Sequence, residues 1–159
     1  MTKKLSNIIA LIGFIIFPLF VGFLSAFFAG GSFAETYAVL EKPFFSPPAW
    51  LFQPIWIILY ILMGVAAFLI WQKKEEKNIK PAIIVFLAQL FLNYLWSIIF
   101  FGLGNFYLAL IDIVLLWIVI IINIVVFYKI SKPAAWLLVP YLLWVTFASV
   151  LNYMVWRLN

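Results

Sequence analysis

Four stretches of this chain run without a charged residue: from Lys4 to Glu35, Lys42 to Lys73, Lys80 to Asp112, and Pro133 to Trp156. Because about 20 apolar residues cross a bilayer as helix, each is long enough for a span. A fifth apolar run, following the "GLGN" connection, is broken by a single acid, Asp112. The expected spans are 5–29, 47–71, 81–101, 105–128 and 134–156, which makes residues 1–159 one five-helix transmembrane domain of the all-α integral membrane class. With 69% hydrophobic and 9% charged residues, the chain lies far outside the composition of soluble domains. Lys3 and Lys4 ahead of an apolar run resemble the start of a signal peptide. That run exceeds the usual ~7–15 residues, so it is expected to remain as the first span.

Five spans put the N-terminus, the 72–80 loop and the 129–133 loop on one side. That side holds Lys3, Lys4, Lys73, Lys74, Lys77, Lys80, Lys129 and Lys132, against Lys42 and Arg157 on the other. The positive-inside rule counts Lys and Arg in short loops, so the N-terminus is expected inside, in a bacterial cytoplasmic membrane. The net charge of +5 follows from these loop lysines and implies no nucleic-acid partner. The chain has no cysteine and no histidine. Their absence removes the commonest ligands of zinc and haem iron, and Ser-His-Asp and Cys-His catalysis with them. No metal site is expected, and no cofactor is required.

Polar residues within spans are costly in hydrocarbon and face the bundle interior. Counting 1.5 Å per residue, Asn93, Asp112, Trp56, Ala148 and Ser149 all fall ~11–13 Å below the outer ends of their spans. Gln89, Asn93, Trp96 and Ser97 share one helical face, as do Gln53, Trp56, Tyr60 and Met63, and Tyr141, Trp144, Ala148 and Asn152. Gln89, Ser97, Ser149 and Asn152 read most simply as hydrogen-bonding glue between helices. The convergence of Trp56, Asn93, Trp96 and Trp144 instead describes a pocket for a flat, largely apolar ligand with a few polar handles. Asp112, the sole acid within a span, is either a polar anchor for such a ligand or a carboxyl that fixes helix packing, and Asn123 shares its face. Trp50, Trp71, Trp136 and Trp156 lie near span ends, where aromatic belts form. Trp117 is expected to face lipid or a partner subunit.

The segment "KPFFSPPAWLFQPIW", Lys42–Trp56, opens the second span with four prolines. Ser46 is expected as its N-cap and Pro47 as its first helical residue. Pro54 should bend the helix that carries Trp56, and Pro18 and Pro140 should kink the first and fifth spans. The preceding 30–46 loop is too polar to cross and longer than a tight turn. It is expected to fold as a lid, with Tyr37, Phe44 and Phe45 over the outer mouth. Gly22, Ala26 and Gly30 sit at small-xxx-small spacing, suited to a close contact within the subunit or between two copies.

Three stretches, "YAVLEKPFFSPPAWLFQPIWIILYILMG", "QLFLNYLWSIIFFGLGN" and "VPYLLWVTFASVLNYMVWRLN", closely resemble the translocator protein family, also called tryptophan-rich sensory proteins or peripheral-type benzodiazepine receptors. The resemblance covers nearly all of the chain after the first span. It implies a five-helix bundle, usually a homodimer, that binds tetrapyrroles such as protoporphyrin and haem, benzodiazepine-site ligands and, in some members, cholesterol. Carried over, the ligand site would comprise Tyr37, Trp56, Asn93, Trp96, Ser97, Trp144 and Ala148. Trp56 and Trp144 would be the pair implicated in light-dependent porphyrin breakdown. Phe45 departs from the family's "KPxWxPP" pattern, which keeps an aromatic ring but loses an indole N–H. Leu151, Tyr153 and Arg157 fit a cholesterol-consensus pattern, which is a weak signal.

Three functions are compatible with these residues. A receptor or sensor would bind a porphyrin through aromatic stacking, oriented by Asn93, Ser97 or Tyr37. A light- and oxygen-dependent enzyme would degrade it with Trp56 and Trp144 as redox partners. A transporter of tetrapyrroles or sterols is the third, although the chain lacks the internal repeat usual in secondary transporters.

Overall fold

A computed structural model describes residues 3–30 and 33–159 of the chain. Met1, Thr2 and the Gly31–Ser32 pair of the expected lid lie outside the described residues.

Five helical stretches are long and apolar enough to cross a membrane. The first is α1, Lys3–Phe28, which runs unbroken through Pro18. A short helix, α2 (Phe33–Val39), lies within the first loop. The second span is α3, Phe52–Trp71. The third is α4, Lys80–Ser97, extended by a π turn over Ile98–Gly102. The fourth is α5, Phe106–Ile130, and the fifth consists of α6 (Lys132–Leu137) and α7 (Val139–Leu158).

The expected start of the second span is corrected. Ser46 caps no helix; its N–H donates to the Pro43 carbonyl at 3.0 Å in a turn. A 3-10 turn, Ala49–Leu51, follows with Pro48 extended at its N-cap (φ −63°, ψ 147°), and the α-helix begins at Phe52. Two consecutive prolines hold extended backbone, because each ring fixes φ and disfavours the helical region for the residue before it. Pro54 therefore lies in the first α turn, where an absent N–H costs little.

Pro140 does interrupt the fifth span. Leu138 joins α6 to α7 with φ −88° and ψ −10°, and Pro140 sits in the first turn of α7. The fourth span starts as the sequence suggests: Asn105 is the N-cap of α5, its side-chain oxygen accepting the Leu108 N–H at 3.0 Å. Gly104, at φ +62°, makes the tight reversal before it.

In cross-section the spans form a closed ring in the order first, second, fifth, fourth, third. α1 packs on α3 and α4, α4 on α5, α5 on α6 and α7, and α6 back on α3. α1 and α3 are in backbone contact at Gly64, where a Cβ would run into the backbone of Phe14 and Ile15. At the opposite end of the bundle the backbones of α3 and α7 stay apart. Aromatic side chains fill the gap: Phe52 meets Trp144 at 5.6 Å and Trp56 meets Tyr141 at 6.3 Å between ring centroids.

Candidate functional site

Splaying of the loop-side half of the bundle leaves a cavity of about 450 Å³ between α1, α3 and the end of α4. This lies within the ~300–1,000 Å³ typical of small-molecule sites. Phe52, Trp56 and Tyr60 recur every four residues along α3 and form one wall, with Gln53 and Ile57 beside them. The Trp56 and Tyr60 rings stack at 5.7 Å with 30° between planes. Trp96, Ser97 and Phe101 form the second wall. Phe101 reaches it because the π turn places an extra residue in the helical circuit, a device that often occurs at functional sites. The third wall is α1, whose Gly22 and Ala26 make room; a side chain at Gly22 would strike the Tyr60 ring. Of the small-residue stripe, Gly22 and Ala26 line this cavity, whereas Gly30 lies beyond the end of α1.

Behind the wall several polar groups are paired across helices. The Tyr60 hydroxyl donates to Asn93 Oδ1 at 2.6 Å, and Asn93 Nδ2 donates to the Tyr141 hydroxyl at 2.9 Å, which links α3, α4 and α7. Trp96 Nε1 donates to Asn152 Oδ1 at 2.9 Å, and Asn152 Nδ2 donates to the Phe106 carbonyl at 2.9 Å. The Ser25 hydroxyl donates to the Tyr94 carbonyl at 2.8 Å and ties α1 to α4. Each bond satisfies a group that hydrocarbon would leave unpaired, so the ring orientations around the cavity are held by hydrogen bonds as well as packing.

The first loop packs against the cavity walls. Phe33 stacks on Tyr37 at 5.5 Å, touches Phe52 at 5.1 Å and Phe101 at 4.7 Å, and lines the cavity. Tyr37 is buried and donates its hydroxyl to the Pro47 carbonyl at 2.8 Å. Burial raises its phenol pKa above the ordinary value, which keeps it a neutral donor. Lys42 Nζ donates to the Tyr37 and Leu40 carbonyls, both at 2.6 Å, and finishes α2. The far end of the loop is clasped to the C-terminus: the Glu41 N–H donates to Asn159 Oδ1 at 3.1 Å and Asn159 Nδ2 to the Glu41 carbonyl at 3.0 Å. Phe45 packs edge-on against Phe147 at 6.3 Å, whereas Phe44 is fully exposed.

Of the seven site residues suggested by the resemblance, Trp56, Trp96 and Ser97 line the cavity. Tyr37 is off the lining, stacked on Phe33 and packed against Phe52, and Asn93 lies behind the wall with both amide atoms engaged. Trp144 is off the lining and packs against Phe52, and its buried Nε1 has no partner among the described residues. Ala148 is buried on the same helix, one turn on. Phe33, Phe52 and Phe101 line the cavity without having been singled out in the sequence; Phe101 in particular depends on a π turn for which the spacing gives no signal.

Asp112 is buried away from the cavity, with one carboxylate oxygen unpartnered, and Asn123 is fully buried and likewise unpaired. Gln89 reaches the Met63 sulfur at 3.9 Å. Ser149 bonds the Val145 carbonyl of its own helix at 2.7 Å. Trp117 is exposed on the outer surface of the bundle, where its N–H donates to Thr146 at 2.8 Å. Leu151 is buried in the core whereas Tyr153 and Arg157 are on the surface, so these three do not form one face.

The TspO/MBR family model matches residues 14–157. The chain belongs to the TspO/MBR family. A tryptophan-rich protein TspO from Archaeoglobus fulgidus is 44% identical over 155 residues, which is 96% of this chain and 99% of that protein. The translocator protein of Sus scrofa is 40% identical over 151 residues, 93% of this chain and 89% of its own. A tryptophan-rich sensory protein of Cereibacter sphaeroides is 36% identical over 125 residues, covering 79% and 77%. Like the rest of the TspO/MBR family, the chain is an integral membrane protein, and its five spans are the α-helical bundle described above.

Proposed function

We propose that this protein is a membrane receptor or sensor that binds a porphyrin, or another flat, largely apolar molecule of the benzodiazepine-site type, in the aromatic cavity between α1, α3 and α4. The observation that carries the reading is the pair of facing aromatic walls, Phe52, Trp56 and Tyr60 against Trp96 and Phe101, around about 450 Å³ of space. Flat rings gain most from offset stacking and from the apolar area removed from water or lipid headgroups. Ser97 and Gln53 are the polar side chains on the lining and supply the handles that orient a carboxylate or pyrrole N–H edge. Metal-free protoporphyrin suits this chemistry at least as well as haem, because the chain contains neither histidine nor cysteine to ligate iron. The lysines at the end opposite the first loop support an N-terminus inside a bacterial cytoplasmic membrane, with the cavity mouth outward.

The test is a titration of the purified protein with protoporphyrin in the dark, followed by tryptophan quenching. Saturable binding is expected, weakened at least about tenfold by Trp56→Ala, a change worth about 1.4 kcal/mol. Undiminished affinity in that variant would refute the cavity as the site. Illumination of the same samples separates a receptor from a porphyrin-degrading enzyme. Breakdown in wild type that Trp56→Phe abolishes would favour the enzyme, a reading helped by the oxidisable Trp56 indole lying on the cavity wall.

A further inference from the structure

A second concave feature lies at the other end of the bundle and is unrelated to the aromatic cavity. It is an apolar groove of about 110 Å³ between α1, α3 and α4. Ala67 and Ala82 form its floor, where larger residues would fill it, and Phe14 and Trp71 form one side, their rings 5.9 Å apart. The rim residues Phe17 and Ile83 are exposed on the lipid-facing surface, so the groove opens sideways into the bilayer.

The charges above it are uneven. This end carries Lys4, Lys73, Lys74, Lys77, Lys80, Lys129 and Lys132 against Glu75 and Glu76. Lys73 and Lys77 are engaged by protein oxygens. Lys73 pairs with Glu76 at 3.1 Å, and Lys77 donates to the Lys129 and Ile130 carbonyls at 2.8 and 3.2 Å, closing the end of α5. Lys74 and Lys80 have no carboxylate partner among the described residues. Lys74 Nζ lies 4.1 Å from the centroid of the Trp71 ring, which lines the groove, and Lys80 is the first residue of α4, about one turn before the rim residue Ile83.

An apolar slot open to lipid, with two ammonium groups that have no carboxylate partner at its headgroup end, has the chemistry that suits a diacyl lipid whose headgroup is negative. We propose that this groove is a binding site for one anionic phospholipid, one acyl chain lying over Ala67 and Ala82 and the phosphate held between Lys74 and Lys80. The lipid would fill the space between α1 and α4 at this end.

The proposal is tested by equilibrating the detergent-purified protein with equal amounts of phosphatidylglycerol and phosphatidylcholine and measuring the lipid retained per chain by mass spectrometry. Wild type is expected to retain about one phosphatidylglycerol in preference. Lys74→Gln with Lys80→Gln should reduce that preference about tenfold. Lys129→Gln with Lys132→Gln removes the same charge from the same end and should leave it intact. Ala67→Leu fills the groove and should abolish retention while circular dichroism reports an unchanged helix content. Equal retention of the two lipids by wild type, equal loss in the two double-lysine variants, or undiminished retention in a folded Ala67→Leu protein would each overturn the site. If Ala67→Leu instead dissociated a dimer and left lipid unaffected, the groove would belong to a second copy of the chain and the proposal would fall.

Discussion

The Tyr60 hydroxyl donates to Asn93 Oδ1 at 2.6 Å, and that bond fixes the ring against which Trp56 stacks. Asn93 passes the connection on to Tyr141. Replacing Asn93 by Ala leaves two buried hydroxyls short of a partner, and an unsatisfied buried group costs about 1–3 kcal/mol. Interhelical bonds in membranes fall toward the low end of such values. Thermal unfolding in detergent is expected to show Asn93→Ala clearly destabilised and Tyr60→Phe less so, because the latter deletes one donor and leaves Tyr141 paired.

Two indoles that look equivalent in the sequence differ in their bonding. Trp96 Nε1 donates to Asn152, whereas the buried Trp144 Nε1 has no partner among the described residues. Trp96→Phe should therefore destabilise the bundle by about 1–2 kcal/mol through the orphaned Asn152 oxygen. Trp144→Phe removes a group that already lacks a partner and should cost less. Unfolding midpoints of the two variants, compared side by side, check the ordering.

Gly64 and Gly22 separate packing from cavity shape. A methyl at Gly64 meets backbone atoms of Phe14 and Ile15, which cannot step aside, so Gly64→Ala should lower stability by about 1–3 kcal/mol. A methyl at Gly22 first meets the Tyr60 ring, a side chain on the cavity wall. Gly22→Ala is expected to alter protoporphyrin affinity more than the unfolding midpoint. The reverse pattern would contradict the assignment of Gly22 to the cavity.

The first loop is held by Tyr37 on Pro47 at one end and by Asn159 on Glu41 at the other. Loss of either should loosen the loop without touching the aromatic walls. Tyr37→Phe and Asn159→Ala are expected to raise the dissociation rate of protoporphyrin several-fold in stopped-flow displacement, with a smaller effect on association.

The spans were legible because hydrocarbon excludes charge, so the gaps between lysines and acids mark them to within a few residues. The Pro140 interruption was also legible, since proline cannot donate within a helix. Ser46 misled for a physical reason. It has the side chain of an N-cap, but Pro47 and Pro48 hold the chain extended beyond it and delay the α-helix to Phe52. Within the site, only the family resemblance assigned Ser97 to the cavity; helical spacing picked out Trp56 and Trp96, which line it, but read Ser97 as glue between helices. It could not tell that Asn93 has both amide atoms engaged by Tyr60 and Tyr141, because pairing across three helices depends on how they are rotated. Phe101 was hidden for a similar reason: its position depends on a π turn that ordinary helical periodicity does not register.

The most direct test of the central claim is the protoporphyrin affinity of Ala26→Trp beside that of wild type. Ala26 is an exposed residue that lines the cavity from α1, so an indole there would fill the space without disturbing the Tyr60–Asn93–Tyr141 bonds. The account expects a loss of affinity greater than about tenfold, or 1.4 kcal/mol, with an unchanged unfolding midpoint. Wild-type affinity in a folded Ala26→Trp protein would contradict it and place the ligand elsewhere.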